Sequence, residues 1–142
     1  MLTISELKKK TNEMGTMIGI KEGSEVYPIF DETSDINKIF GDGVSIYIAD
    51  SEYNYVVKER NKIIKHITST DVNDILYAIL KDITFSIAID YEKKHRNKNE
   101  DFRRQLFDKQ LDLLARVREC FAERRKMEID EILKISPYRD SI

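Results

Sequence analysis

The chain has 142 residues, 41% of them hydrophobic and 35% charged, with a formal net charge of −2. That length suits one domain, residues 1–142, able to bury a core of its own. The slightly acidic balance argues against a general nucleic-acid module. No apolar run reaches the roughly 18 residues that cross a bilayer, so no membrane partner is expected. The start MLTISELKKK lacks the basic-then-apolar order of a secretory signal. The one cysteine, Cys120, excludes an intrachain disulfide framework and suits a reducing compartment. A cytoplasmic protein is expected.

Thr3 with Glu6 three residues on predicts a capping box, and Leu2 with Leu7 a hydrophobic staple. A helix is expected over 2–14, with Gly15 as its stop. Residues 16–43 hold Gly19, Gly23, Pro28, Gly41 and Gly43. They read as irregular chain with a short strand at 26–30, which Pro28 confines to a sheet edge. The segment VSIYIAD alternates: Val44, Ile46 and Ile48 fall on one side, Ser45, Tyr47 and Ala49 on the other. A turn at 51–53, a strand at 54–59, a turn at Arg60–Asn61 and a strand at 62–68 complete an antiparallel meander. A lone meander exposes an apolar face, and the second half offers a cover. Asp71 caps a helix over 72–95. There Ile75, Leu76, Ile79, Leu80, Ile83, Ile87 and Tyr91 recur at helical spacing. Phe85 and Ile89 lie off that stripe, which suits a central helix. Helices over 100–117 and 120–134 follow, with Pro137 beyond the last. The expected class is α+β: a small antiparallel sheet of three or four strands, an N-terminal helix, and three C-terminal helices covering the sheet.

Catalytic signatures are weak. Glu92-x-x-His95 puts a carboxylate and an imidazole on one helical face, as di-iron bundles do, but those use the unit twice with two further glutamates. The only other histidine, His66, falls on a strand. Cys120 has Arg118, Arg124 and Arg125 nearby in sequence, which lower a thiol pKa. A lone cysteine in an amphipathic helix is more often a small core residue. Neither a nucleophile elbow nor a Gly-rich phosphate loop is present. No catalytic residue, metal or cofactor is expected. A metal-dependent enzyme around Glu92 and His95 is the first alternative. The second is a nucleic-acid module using Lys93, Lys94, Arg96, Lys98, Arg103 and Arg104, although Glu100 and Asp101 would repel phosphates there. The same stretch reads better as an internal brace. Asp82, Ser86 and Asp90 make a polar strip on the central helix, and Arg103 and Arg104 open the next helix across a turn. Arginine forks hold carboxylates bidentately, so Asp90 is the expected partner. Gln110, among leucines, is expected to hydrogen-bond at that interface.

From Glu22 to Val57 eight acids face a single base, Lys38. Such imbalance steers a charged partner. The expected partner surface has Glu25, Asp31, Glu32, Asp35, Asp42, Asp50 and Glu52 as its rim. Tyr47, Tyr53 and Tyr55 are its expected anchors, since tyrosine buries area and keeps a polar tip.

Two longer stretches carry a family resemblance. DILYAILKDITFSIAIDYEKKHRNKNEDFRRQLFDKQLDLL, followed by ERRKMEIDEILKISPY, resembles the C-terminal half of a bacterial polymorphic-toxin immunity family, the one catalogued as immunity protein family sixty-three. The Tyr-Glu-x-x-His-Arg end, the Asp-Phe-Arg-Arg doublet and the Phe-x-x-Gln-x-x-Leu-Leu stripe carry it, and ADSEYNYVVKERNKI before them is similar. The resemblance spans roughly residues 44–140. It implies a cytoplasmic protein encoded beside a toxin, which binds that toxin domain and neutralises it by occlusion, without catalysis. It leaves a small homo-oligomer open.

Overall fold

Thr3 starts the first helix as its spacing predicts. In the computed structural model, which describes residues 1–39 and 41–141, the Thr3 hydroxyl accepts from the Glu6 amide at 3.1 Å and the Glu6 carboxylate accepts from the Thr3 amide at 3.0 Å. Phe40 and Ile142 lie outside the described residues. Helix α1 (Ile4–Thr16) precedes β1 (Ile29–Phe30), a 3-10 turn (Ile36–Lys38), β2 (Gly43–Ala49), β3 (Glu52–Glu59) and β4 (Lys62–Ser69). Helices α2 (Val72–Lys94), α3 (Phe102–Val117) and α4 (Glu119–Ile135) follow. The class is α+β, as expected. The chain forms two compact units, Met1–Ile79 and Leu80–Ile142, and α2 contributes to both.

In the first unit α1 buries Ile4, Leu7, Thr11 and Met14. Gly15 does not stop it. Gly15 lies inside the helix, buried, where a β-carbon would overlap the phenol of Tyr27. The stop is Gly19, at φ +83. The Ile20 amide donates to the Gly15 carbonyl at 3.0 Å and the Gly19 amide to Thr16 at 3.1 Å, the pairing of a Schellman cap.

The sheet order is β1-β2-β3-β4. The last three strands form the expected antiparallel meander. β1 runs parallel to β2, with Ile29 opposite Ser45 and Phe30 opposite Ile46. The sheet is therefore mixed, with β1 at the edge that Pro28 foretold. Ala49 pairs with Glu52, so the first hairpin turns at Asp50–Ser51 rather than at 51–53. Both residues have positive φ (54° and 62°), as do Arg60 and Asn61 (51° and 65°) in the second hairpin. Two positive φ values give the turn whose twist matches that of the strands.

Alternation along β2 holds. Ile46 and Ile48 share a face with Tyr55 and Tyr53, their cross-strand partners. On the other face Tyr47, Val56 and Ala49 pack with Ile36 and Ile39. The stretch 31–39, expected only as irregular chain, thus covers the sheet. Lys58, buried, fastens it by donating to the carbonyls of Ile36 at 3.1 Å and Ile39 at 2.6 Å. Asp71 caps α2 by accepting from the Asn73 amide at 2.9 Å.

The second unit has its own core. Ala88, Leu106, Phe107 and Ile129 are buried together, with Ile89, Leu111, Leu133 and Tyr138 packed against them. Asp101 caps α3 by accepting from the Arg103 amide at 3.0 Å. A single extended residue, Arg118 (φ −154°, ψ 131°), separates α3 from α4. The expected helices 72–95, 100–117 and 120–134 match the observed ones to within the usual uncertainty of helix ends.

Candidate partner-binding surface

Three acids of the expected rim have local duties. Asp31 accepts from the Thr33 amide at 2.9 Å, Asp35 from the Asn37 amide at 2.9 Å, and Asp42 from the Arg60 amide at 2.8 Å. The first two are local bonds that form turns in the manner typical of aspartate, and the third ties the loop before β2 to the β3–β4 hairpin. Folding thus accounts for part of the acidity of 22–57. Glu25, Glu32 and Asp50 are exposed, and Glu52 is half-buried. The rim is not one patch. Asp42 and Asp50 flank β2 at opposite ends, on the order of 25 Å apart at strand rise. Asp35 and Asp50 both act on Tyr47, whose hydroxyl pKa is raised first by burial and then by those two carboxylates.

The tyrosines are not surface anchors. Tyr47, Tyr53 and Tyr55 are only 2%, 1% and 2% exposed, because both faces of their strands are covered. The Tyr53 hydroxyl accepts from the Leu2 amide at 2.6 Å. The Tyr47 hydroxyl lies 3.4 Å from Nε2 of His66, which lies 2.8 Å from Oδ1 of Asn54.

The arginines do brace, with a different partner. Asp90 is exposed and takes no ion pair from Arg103 or Arg104. Arg103 forks onto Asp101, its Nη2 at 2.8 Å, and donates to the carbonyls of Ser136 and Pro137, each at 2.9 Å. Arg104 forks onto Asp140 at 2.9 and 3.0 Å. The Tyr138 ring lies under the Arg104 guanidinium, 4.1 Å away. Together they strap residues 136–140 to the start of α3. The Arg103 hydrogen bonds, helped by the amides of Arg139 and Arg103, hold the Asp101 carboxyl well below the usual carboxylate range despite its burial. Gln110 behaves as expected: it is fully buried and bonded at the helix interface. Its partner Arg125 stands only five residues past Cys120, and sequence spacing gave no sign of the pairing.

The residues of the metal alternative are otherwise engaged. Glu92 is buried and takes Arg96 bidentately at 2.6 and 3.0 Å. Nδ1 of His95 lies 2.8 Å from the Tyr91 carbonyl, and its ring stacks on Tyr91 at 4.1 Å. His66 belongs to the other unit. Among the described residues no three metal-binding side chains come together. Cys120, expected in a core, is exposed in the first turn of α4. In the basic run Lys93, Lys94 and Lys98 remain exposed, while Arg96, Arg103 and Arg104 are held in ion pairs.

A family model described as Immunity protein 63 matches residues 49–131, from the β2–β3 turn through most of α4. No curated protein and no solved structure matches this chain.

Proposed function

Since this chain belongs to the Immunity protein 63 family, we propose that it binds a cognate toxin domain and neutralises it by occlusion, in the bacterial cytoplasm where that toxin would act. The family match over 49–131 is the observation that carries this reading. The exposed acids Glu25, Glu32 and Asp50, with Glu52 beside them, support a partner with a basic surface, since complementary charge raises association rates and excludes wrong partners. Occlusion asks no chemistry of the immunity protein. It asks only for a surface that fits the toxin.

The test is co-expression with the toxin domain encoded by the adjoining gene. Survival of the host and a stable equimolar complex on size-exclusion chromatography are the expected result. Undiminished toxicity with no complex would overturn the reading.

A further inference from the structure

Six of the eight residues of β4 are exposed. The strand closes one side of the sheet, so among the described residues its outer row of N–H and C=O groups has no strand beside it. The opposite edge, β1, is only two residues long. Long free edges are templates for pairing, and proteins usually blunt them with lysines and bulges. β4 carries both devices. Lys62 and Lys65 are exposed and form no ion pair among the described residues. The register slips between Val57 and Lys58, leaving Ile64 without a direct partner in β3. Yet Ile63 and Ile64 are 49% and 56% exposed. Blunting alone would not leave two adjacent isoleucines in water.

The charges select the occupant. If a second copy paired edge to edge about the middle of 62–65, Lys62 of each copy would face Lys65 of the other, with no acid on β4 to answer them. Like charges opposite one another destabilise a strand pair, and opposite charges support it. The edge therefore rejects its own kind and favours a strand bearing acids. We propose that β4 seats an extended segment of the toxin, which adds a fifth strand to the sheet and places acidic side chains against Lys62 and Lys65. Main-chain bonds would hold it and alternate side chains would give specificity. This inference rests on the toxin-binding reading above.

Hydrogen exchange of amides 62–69 and binding titrations, with the purified toxin domain as probe, test it. Slowed exchange at 62–69 in the complex is expected. So is a Kd at least about tenfold weaker for Lys62→Gln/Lys65→Gln, which puts no like charge opposite Glu59 in β3, with a nearly unchanged melting temperature and wild-type binding by Lys93→Gln/Lys94→Gln. A complex that forms without protection of these amides, and that both double variants join equally well, overturns the seat and leaves the toxin-binding reading standing. Concentration-dependent protection of the same amides in the free protein would also overturn it, by assigning the edge to a second copy. Failure of the wild type to bind at all removes the parent reading and this one with it.

Discussion

Gln110 joins three helices through one side chain. Its Nε2 donates to the Lys81 carbonyl at 3.0 Å and lies 3.3 Å from the Thr84 hydroxyl, while its Oε1 accepts from Nε of Arg125 at 2.8 Å. Arg125 is buried, and its Nη1 reaches Glu128 at 3.4 Å. Gln110→Leu should cost about 2–4 kcal/mol, because a buried guanidinium loses an acceptor. Urea unfolding measures this, and pairing the change with Arg125→Leu should recover part of the loss. A polar residue in a leucine stripe announces a buried hydrogen bond; its partner, fifteen residues on, is visible only in three dimensions. The strap behaves alike. Arg103→Ala should destabilise by about 1–3 kcal/mol, against less than about 0.5 kcal/mol for exposed Asp90→Ala. Asp101 adds a pH signature. Its folded pKa is depressed, so its stabilisation is fully present above the unfolded value of about 3.9 and fades as pH falls below it. Asp101→Asn should therefore lower stability at neutral pH and flatten its decline on acidification, as read by melting temperature between neutral pH and the acid limit.

Elements were legible where a period or a cap defines them. The capping box at Thr3, the alternation of β2 and the helical stripe of α2 need only near neighbours; the first two stand as read, and the stripe holds from Ile75 to Ile83, while Tyr91 at its end and Phe85 beside it are exposed. Features that depend on long-range pairing were not legible. The parallel β1–β2 pair and the cover at 31–39 depend on contacts such as Lys58 with the Ile36 and Ile39 carbonyls, which no local pattern encodes. Gly15 and Gly19 show the same division. Either could end α1 by composition, and the Tyr27 phenol against Gly15 assigns the roles. The first hairpin was misplaced by one residue because Asp50–Ser51 is an uncommon pair for two left-handed positions. That choice leaves room for improvement: glycine adopts φ near +62° without the cost that serine bears. Ser51→Gly should raise stability by about 0.5–1 kcal/mol, visible as a higher urea midpoint with unchanged slope.

At the scale of the whole molecule, net charge hides how charge is used. The acids of 22–57 divide into the turn-formers Asp31 and Asp35, Asp42 which holds the Arg60 amide of a distant hairpin, and exposed groups such as Glu25 and Glu32 that make no turn. Sequence counting merges them because all are simply acidic; hydrogen-bond geometry separates them. The tyrosines were misjudged for a related reason. A tyrosine on an alternating strand fits a surface anchor or a core equally well; the cover at 31–39 decides for the core at Tyr47, while Tyr53 and Tyr55 are buried on the opposite face. Long-range attraction and short-range fit then make different demands on a toxin complex. Peripheral acids act on the encounter and hence on the association rate, whereas groups seated in the contact act on dissociation. Reversing Asp35 would confound the two, since it also caps the 3-10 turn. Glu25→Lys with Glu32→Lys is the cleaner change. It should slow association with the cognate toxin several-fold at low salt and flatten the dependence of that rate on ionic strength. Dissociation and melting temperature should stay nearly constant. Stopped-flow association over a range of salt measures it, and an unaltered salt slope would remove the acidic rim from the encounter.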